Sequence, residues 1–137
     1  MAYEKDVFCH SFPASTGLAQ YQAVAISGAN NRLIDPTTEG NCIGILVSSG
    51  TAGSTGRAGS TDSGSIQTVQ LLGIAKVIAG TTTIDAGDIL KASTDGLAST
   101  SSSTSYRFGV ALDAVASTST SASVISVLLS PSFQHYA

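Results

Sequence analysis

Between Leu71 and Ala116, apolar positions alternate with small or polar ones in short runs separated by turn signals. That is the pattern of β-strands rather than helices. Gly73–Ala79 (GIAKVIA) alternates large apolar with small or polar residues, and Thr81–Ala86 is β-branched and leads into Gly87-Asp88. Ile89–Ala92 reads as a short strand, followed by Asp95-Gly96, a two-residue turn signal of the kind that positive φ demands. Tyr106–Ala116 reads as a further strand with Gly109 near its start.

The rest of the chain repeats the pattern. Gln20–Ser27 places Tyr21, Ala23 and Ala25 on one face and Gln22, Val24 and Ile26 on the other. Gly28–Asn31 is a turn by composition, and Arg32–Asp35 is a short strand stopped by Pro36. Cys42–Ser48 (CIGILVS) is almost continuously apolar, so it is expected to be covered on both faces. Ile66–Leu72 and Ser123–Leu129 alternate again. No window carries the i, i+3, i+4, i+7 apolar spacing with caps that a helix needs.

Two segments echo each other. IGILVSSG, a Gly/Ser loop and IQTVQLLG are matched by FGVALDAV, a Ser/Thr loop and SVISVLLS. Each is a strand with Gly at its second position, a small-polar loop, and a strand ending in Leu-Leu. The echo predicts two related hairpins. The expected fold is therefore all-β, a compact antiparallel β-barrel or sandwich built from short hairpins with an extended N-terminal arm. The arm is expected over 1–17. One β domain is expected over 18–130, with a flexible Gly/Ser/Thr loop at 48–65, and a tail over 131–137.

Composition narrows the function. The chain has 137 residues, of which 11% are charged and 42% hydrophobic. One domain of this size buries a core without staples. The scarcity of charge suits a surface that rests against another protein, because interfaces deplete charge. The net charge is −3 and the six Lys and Arg are scattered, which argues against nucleic acid, whose binding needs clustered cations. No apolar run reaches the 18 or so residues of a membrane helix. The N-terminus MAYEKDVFCH mixes both charge signs without an apolar run, so no signal peptide is expected and Cys9 and Cys42 are expected as free thiols.

The candidate chemistry is thin. His10 and His135 stand at opposite ends, and Cys9-His10 is not a metal-ligand spacing. Cys9 or Cys42 could formally pair with a His as a nucleophile, but a buried Cys packing as a small hydrophobe is the ordinary reading. Asp85, Asp88 and Asp95 sit at turns, where Asp bonds backbone N–H groups, and Asp113 supplies a fourth carboxylate. The run Ser49–Ser65 lacks the Gly-Lys-Ser/Thr ending of a phosphate loop. No enzyme activity, cofactor or metal is expected.

The run Gly73–Val77, Ala86–Lys91, Asp95–Ala98, Gly109–Leu112 and Ile125–Leu129, with Cys42–Leu46 and Val69–Leu72 upstream, resembles the small decoration (cement) proteins of bacteriophage capsids. The resemblance covers roughly Tyr21–Ser130. It implies a β-rich virion protein, made in the host cytoplasm. Such a protein binds the outer surface of the assembled head and stabilises it by clamping neighbouring capsid subunits. It implies the major capsid protein as partner and a homo-oligomer, trimer or dimer. The aromatic residues of the arm and tail, Tyr3, Phe8, Phe12, Phe133 and Tyr136, are the candidate capsid or subunit contacts. Two alternatives stand beside this reading. One is a phage tail or head-fibre structural component, which shares the β-rich, Ser/Thr-rich composition. The other is a surface- or carbohydrate-binding β-module, disfavoured by the absence of Trp.

Overall fold

The computed structural model describes residues 5–15, 17–36, 42–48, 64–93, 95–101, 107–116 and 123–130. These form strands β1 (Lys5–Pro13), β2 (Ala23–Ile26), β3 (Leu33–Ile34), β4 (Gly44–Leu46), β5 (Ile66–Ile78), β6 (Ile89–Ala92), β7 (Ala98–Thr100), β8 (Gly109–Ala111) and β9 (Val124–Leu129). Every ladder between them is antiparallel. There is no helix among the described residues, so the molecule is all-β, as the alternation predicts.

β5 is the spine. The sequence divides it at Gly73 into two runs, yet the structure carries one strand of 13 residues through that glycine, which adopts φ +97°. Val69 and Gln70 pair with β1 on one side and β4 on the other, whereas Gly73 and Ile74 pair with β1 and β9. A strand has two edges. β4 and β9 therefore follow one another along the edge that faces away from β1. From that edge the sheet runs outward twice, as β4-β2-β3 and as β9-β8-β6-β7. The second branch curls back on the spine. Ala79, just past β5, bridges Ala98 of β7, and the Gly80 N–H donates to the Ala98 carbonyl at 2.7 Å.

The curl encloses the larger core. Ala75, Val77 and Ala79 from the spine meet Ile125, Val127 and Leu129 of β9, Leu90 and Ala92 of β6, Ala98 and Ala111. Each strand contributes alternate residues, as the two-residue period requires. Phe108 is the largest side chain buried here, and Ile84 is held by a bridge to Val115. A second core of Ala14, Leu18, Val24, Leu33, Leu46 and Val69 lies under β1 and β3. β2 and β4 separate the two. Ala23, Cys42 and Ile45 enter the larger core, while Val24 and Leu46 enter the smaller, with Ile43 packed against it. This is why Cys42–Leu46 is apolar without alternation: both of its faces are covered.

Several boundaries differ from the sequence reading. Tyr21 and Gln22 are not strand residues. Tyr21 sits at φ 64° and the strand starts at Ala23. Most of Thr81–Ala86 is a connection, with a single bridge at Ile84. Of the described part of Tyr106–Ala116, which starts at Arg107, only β8 is strand, because Leu112 and Asp113 form a bend before Val115. The β6–β7 connection spans Ser93–Leu97 rather than two residues, with Gly96 at φ +71°. Lys5–Pro13, read as an extended arm, lies extended along β5 of its own chain. The two predicted hairpins are both present, as β4–β5 and β8–β9 pairs. The first is tied at its base, where Ser48 Oγ donates to Gln67 Oε1 at 2.6 Å and Gln67 Nε2 donates to Ser65 Oγ at 3.0 Å.

Candidate interaction surface

The alternation that fills the core also sets what faces outward. In antiparallel sheets, residues directly opposite one another share a face. Ile74 stands opposite Leu128, Leu128 opposite Val110, and Val110 opposite Ile89. One apolar row therefore crosses β5, β9, β8 and β6 on the outside of the curl. Leu128 is 45% exposed and Ile89 41%. Leu72, 45% exposed, and its partner Phe8 on β1, 51% exposed, are also open to solvent, beyond Gly73 where the β1–β5 register shifts. Large apolar side chains left in water on one face are candidates for a contact with another protein. None of the six positions is charged. Lys76 lies beside the row at the spine, and the Asp85–Asp88 turn lies beside it just before Ile89, on the same side.

The titratable groups near this face serve the backbone. Asp88 Oδ2 accepts from the Asp85 N–H at 2.9 Å, within the turn. Asp113 Oδ2 accepts from the Ser126 N–H at 2.8 Å, and this bond holds its carboxyl below the usual carboxylate range. Lys76 Nζ stands 5.7 Å from the centre of the Tyr21 ring. Both cysteines are free thiols. Cys42 is buried, and desolvation pushes its pKa up to about 12 although its Sγ also donates to the Gly44 carbonyl at 3.2 Å. No group of three or more His, Cys, Asp or Glu able to hold a metal ion occurs among the described residues.

A cavity of about 400 Å³ opens elsewhere, lined by Gly17, Ala19, Gln22, Asp35, Ile78, Asp95 and Leu97. Gln22 is engaged on its wall. Its Oε1 accepts from the Ala19 N–H at 2.8 Å, and its Nε2 donates to the Asp35 carboxylate.

Of the contact residues expected from the sequence, Phe8 is exposed. Phe12 is half-buried against the second core and meets the His10 ring edge-on, with centroids 4.9 Å apart. Tyr3, Phe133 and Tyr136 lie outside the described residues. The sequence reading missed Leu72, Leu128 and Ile89. The signal was present in the Leu71-Leu72 and Leu128-Leu129 doublets, since a two-residue period sends one leucine of each pair outward. Leu129 is buried and Leu128 exposed, and Leu71 packs inward while Leu72 does not.

No family model and no curated protein matches the chain. Solved structures do. The fold is similar to the N-terminal base of the head fibre protein gp8.5 of bacteriophage phi29, with a TM-score of 0.61 and 22% sequence identity, over 93% of this chain and 100% of that one.

Proposed function

We propose that this chain is a structural protein of a bacteriophage head and forms the base module of a head-attached fibre or spike. One observation carries the reading: the likeness to the phi29 head fibre base spans essentially both chains. A likeness over 93% of this chain is more than a shared barrel fragment. In this reading the module sits on the outer surface of the assembled head, with the major capsid protein as its partner. It needs no catalytic group. Attachment through many equivalent copies suits weak individual contacts, because avidity multiplies them. Shell clamping is the second reading. It is favoured by the resemblance to decoration proteins along Gly73–Val77, Ala86–Lys91 and Ile125–Leu129, and a base seated across a subunit boundary would clamp as well as anchor.

The test is co-sedimentation of the purified chain with heads that lack it, followed by counting and imaging of the bound copies. Saturable binding at discrete outer sites, fewer than the shell subunits, is the expected result. One copy per shell subunit would move the assignment to a cement protein. Failure to bind heads at all would overturn both.

A further inference from the structure

We propose that copies of this chain join head to tail, the outward face of Leu128, Val110 and Ile89 on one copy seating against the Ser27–Arg32 turn of the next. The contact repeats between copies one that the chain already makes within itself. The inference goes beyond attachment to a head and is read on the isolated chain.

The chain is built twice from one plan. β1, the first half of β5, β4, β2 and β3 pair in the same order as the second half of β5, β9, β8, β6 and β7. The registers correspond pair for pair. Val24 opposite Gly44 matches Leu90 opposite Gly109, and Ile45 opposite Gln70 matches Val110 opposite Leu128. Each set closes with a parallel bridge, Ala14 to Leu33 in the first unit and Ala79 to Ala98 in the second. The turns correspond as well. Ser27 N–H donates to the Arg32 carbonyl at 2.8 Å, and Ser93 N–H to the Leu97 carbonyl at 2.9 Å. Asn31 at φ 55° and Gly96 at φ +71° each stand directly before the residue that closes the turn.

The two units meet through one contact. Ala23, Ile45 and Gln70, on the outer face of the first unit, are fully buried, and Ala23 and Ile45 belong to the core of the second. Ala23 N–H donates to the Gly96 carbonyl at 2.8 Å, and a Cβ on Gly96 would strike the Gln22 side chain. The counterparts of both surfaces are open. Ile89 and Leu128, which match Ala23 and Gln70, are 41% and 45% exposed, with Val110 half-buried between them. Asn31, which matches the buried Gly96, is exposed together with Gly28–Asn30. An array of repeats that ends in water covers its last face with polar residues. Here the last face is apolar, and the surface that would receive it lies on the first unit, so a second copy supplies what each end lacks. Charge agrees. Asp88 holds the place of Gln22 with Asp85 in the same turn, and Arg32 follows Asn31. Docked in the same way, acidic meets basic. Pro13 holds the place of Ile78, whose N–H donates to the Tyr21 carbonyl at 2.9 Å. Proline has no N–H to give, so the contact between copies lacks this bond and is the weaker of the two.

Such a contact is heterologous, so an open assembly keeps one unused surface at each end and grows until a ring closes. Sedimentation velocity of the full chain, from about 1 to 100 µM, is expected to show species of more than two copies. Leu128→Asp and Ile89→Asp, on separate strands, each break the face, so misfolding of either leaves the other to decide. Asn30→Asp combined with Arg32→Glu breaks the turn by setting carboxylates against Asp85 and Asp88. Each change is expected to weaken association by about 10-fold or more. The mixture is the deciding arm. A face variant keeps its turn and the turn variant keeps its face, so together they are expected to form a complex of one copy each and nothing larger. Circular dichroism checks that each variant keeps its β-sheet. A wild type that is monomeric at about 100 µM overturns the inference. So does a dimer that grows no further, a natively folded face variant that assembles as the wild type does, or a mixture of folded variants that stays monomeric. A monomer that still binds heads would refute the contact while leaving the proposed attachment intact.

Discussion

Gly44 and Gly109 hold the same place in two hairpins. Each stands where its strand crosses a neighbour too closely for a side chain. A Cβ on Gly44 would strike the Gln70 carbonyl and come within 2.8 Å of Val69 Cγ1. A Cβ on Gly109 would lie 2.5 Å from the Leu128 carbonyl and 2.7 Å from Val127 Cγ2. The obstacle in both cases includes main chain, which cannot rotate away. Gly44→Ala and Gly109→Ala should each destabilise the fold by about 1–3 kcal/mol, the usual cost of overpacking. Gly28, with open space around it, supplies the control, because Gly28→Ala should stay within about 0.5 kcal/mol. Urea unfolding checks this, with a lower midpoint and an unchanged slope expected for the first two.

The spine depends on a buried amide. Gln70 is fully buried, and its Nε2 donates to the carbonyls of Leu72 and Ile74, both at 3.0 Å. These bonds bracket Gly73, where β5 leaves β4 and takes up β9. Gln70→Leu keeps the volume near the original but removes both hydrogen bonds to the spine's carbonyls, so a loss of about 1–3 kcal/mol is expected. Amide exchange should report the loss locally, with protection falling at Gly73–Ala75 more than at Leu90–Ala92. Equal loss at both places would show that the amide does not hold the junction.

Much of this architecture could be read from residue order, and what could not has identifiable causes. The alternation in Ile125–Leu129 and Gly73–Ala79 survives because those strands have one wet face. The paired glycines announced the hairpins because only Gly tolerates that crossing. The union of β5 across Gly73 was hidden because an interior glycine reads as a break, and the compensating Gln70 bonds exist only after folding. Tyr21 looked like a strand residue by periodicity. Its positive φ is fixed by tertiary bonds, its N–H donating to Leu46 and its carbonyl accepting from Ile78. The exposed row was legible in the leucine doublets one strand at a time. Its continuity depends on the order β5-β9-β8-β6, and no local pattern encodes strand order.

Asp113 should make stability depend on acid. The Ser126 N–H favours the charged carboxylate, so its pKa in the folded protein lies below the unfolded value. The contribution is therefore present above the unfolded carboxylate pKa of about 3.9 and lost as pH falls through the lower folded value. The group is open to solvent, so the effect is small and screened. Asp113→Asn should be less stable than the wild type at pH 6, with the gap narrowing in strong acid. A gap that stays constant from pH 6 to pH 2 would show that the charge on Asp113 does not matter.

Cys42 should act in the opposite sense. Its thiol is sealed in the larger core, and burial raises its pKa from 9.0 to about 12. A raised folded pKa means that the native state resists losing this proton while the unfolded chain gives it up readily. The stabilising contribution is thus complete below pH 9 and is lost between about pH 9 and about 12. Cys42→Ala removes that dependence at the cost of a small cavity, worth about 1 kcal/mol. The wild type should be the more stable protein at pH 7, the two curves should meet at about pH 10, and the variant should be the more stable above it. Thiol titration gives a second measure. In native protein at pH 8, Cys9, which is half-buried on β1, should react with a disulfide reagent, and Cys42 should react only at the rate of unfolding. Rapid modification of two thiols in the native state would mean that the core around Ile45, Leu90 and Phe108 opens without global unfolding, and the alkaline loss of stability should then be absent as well.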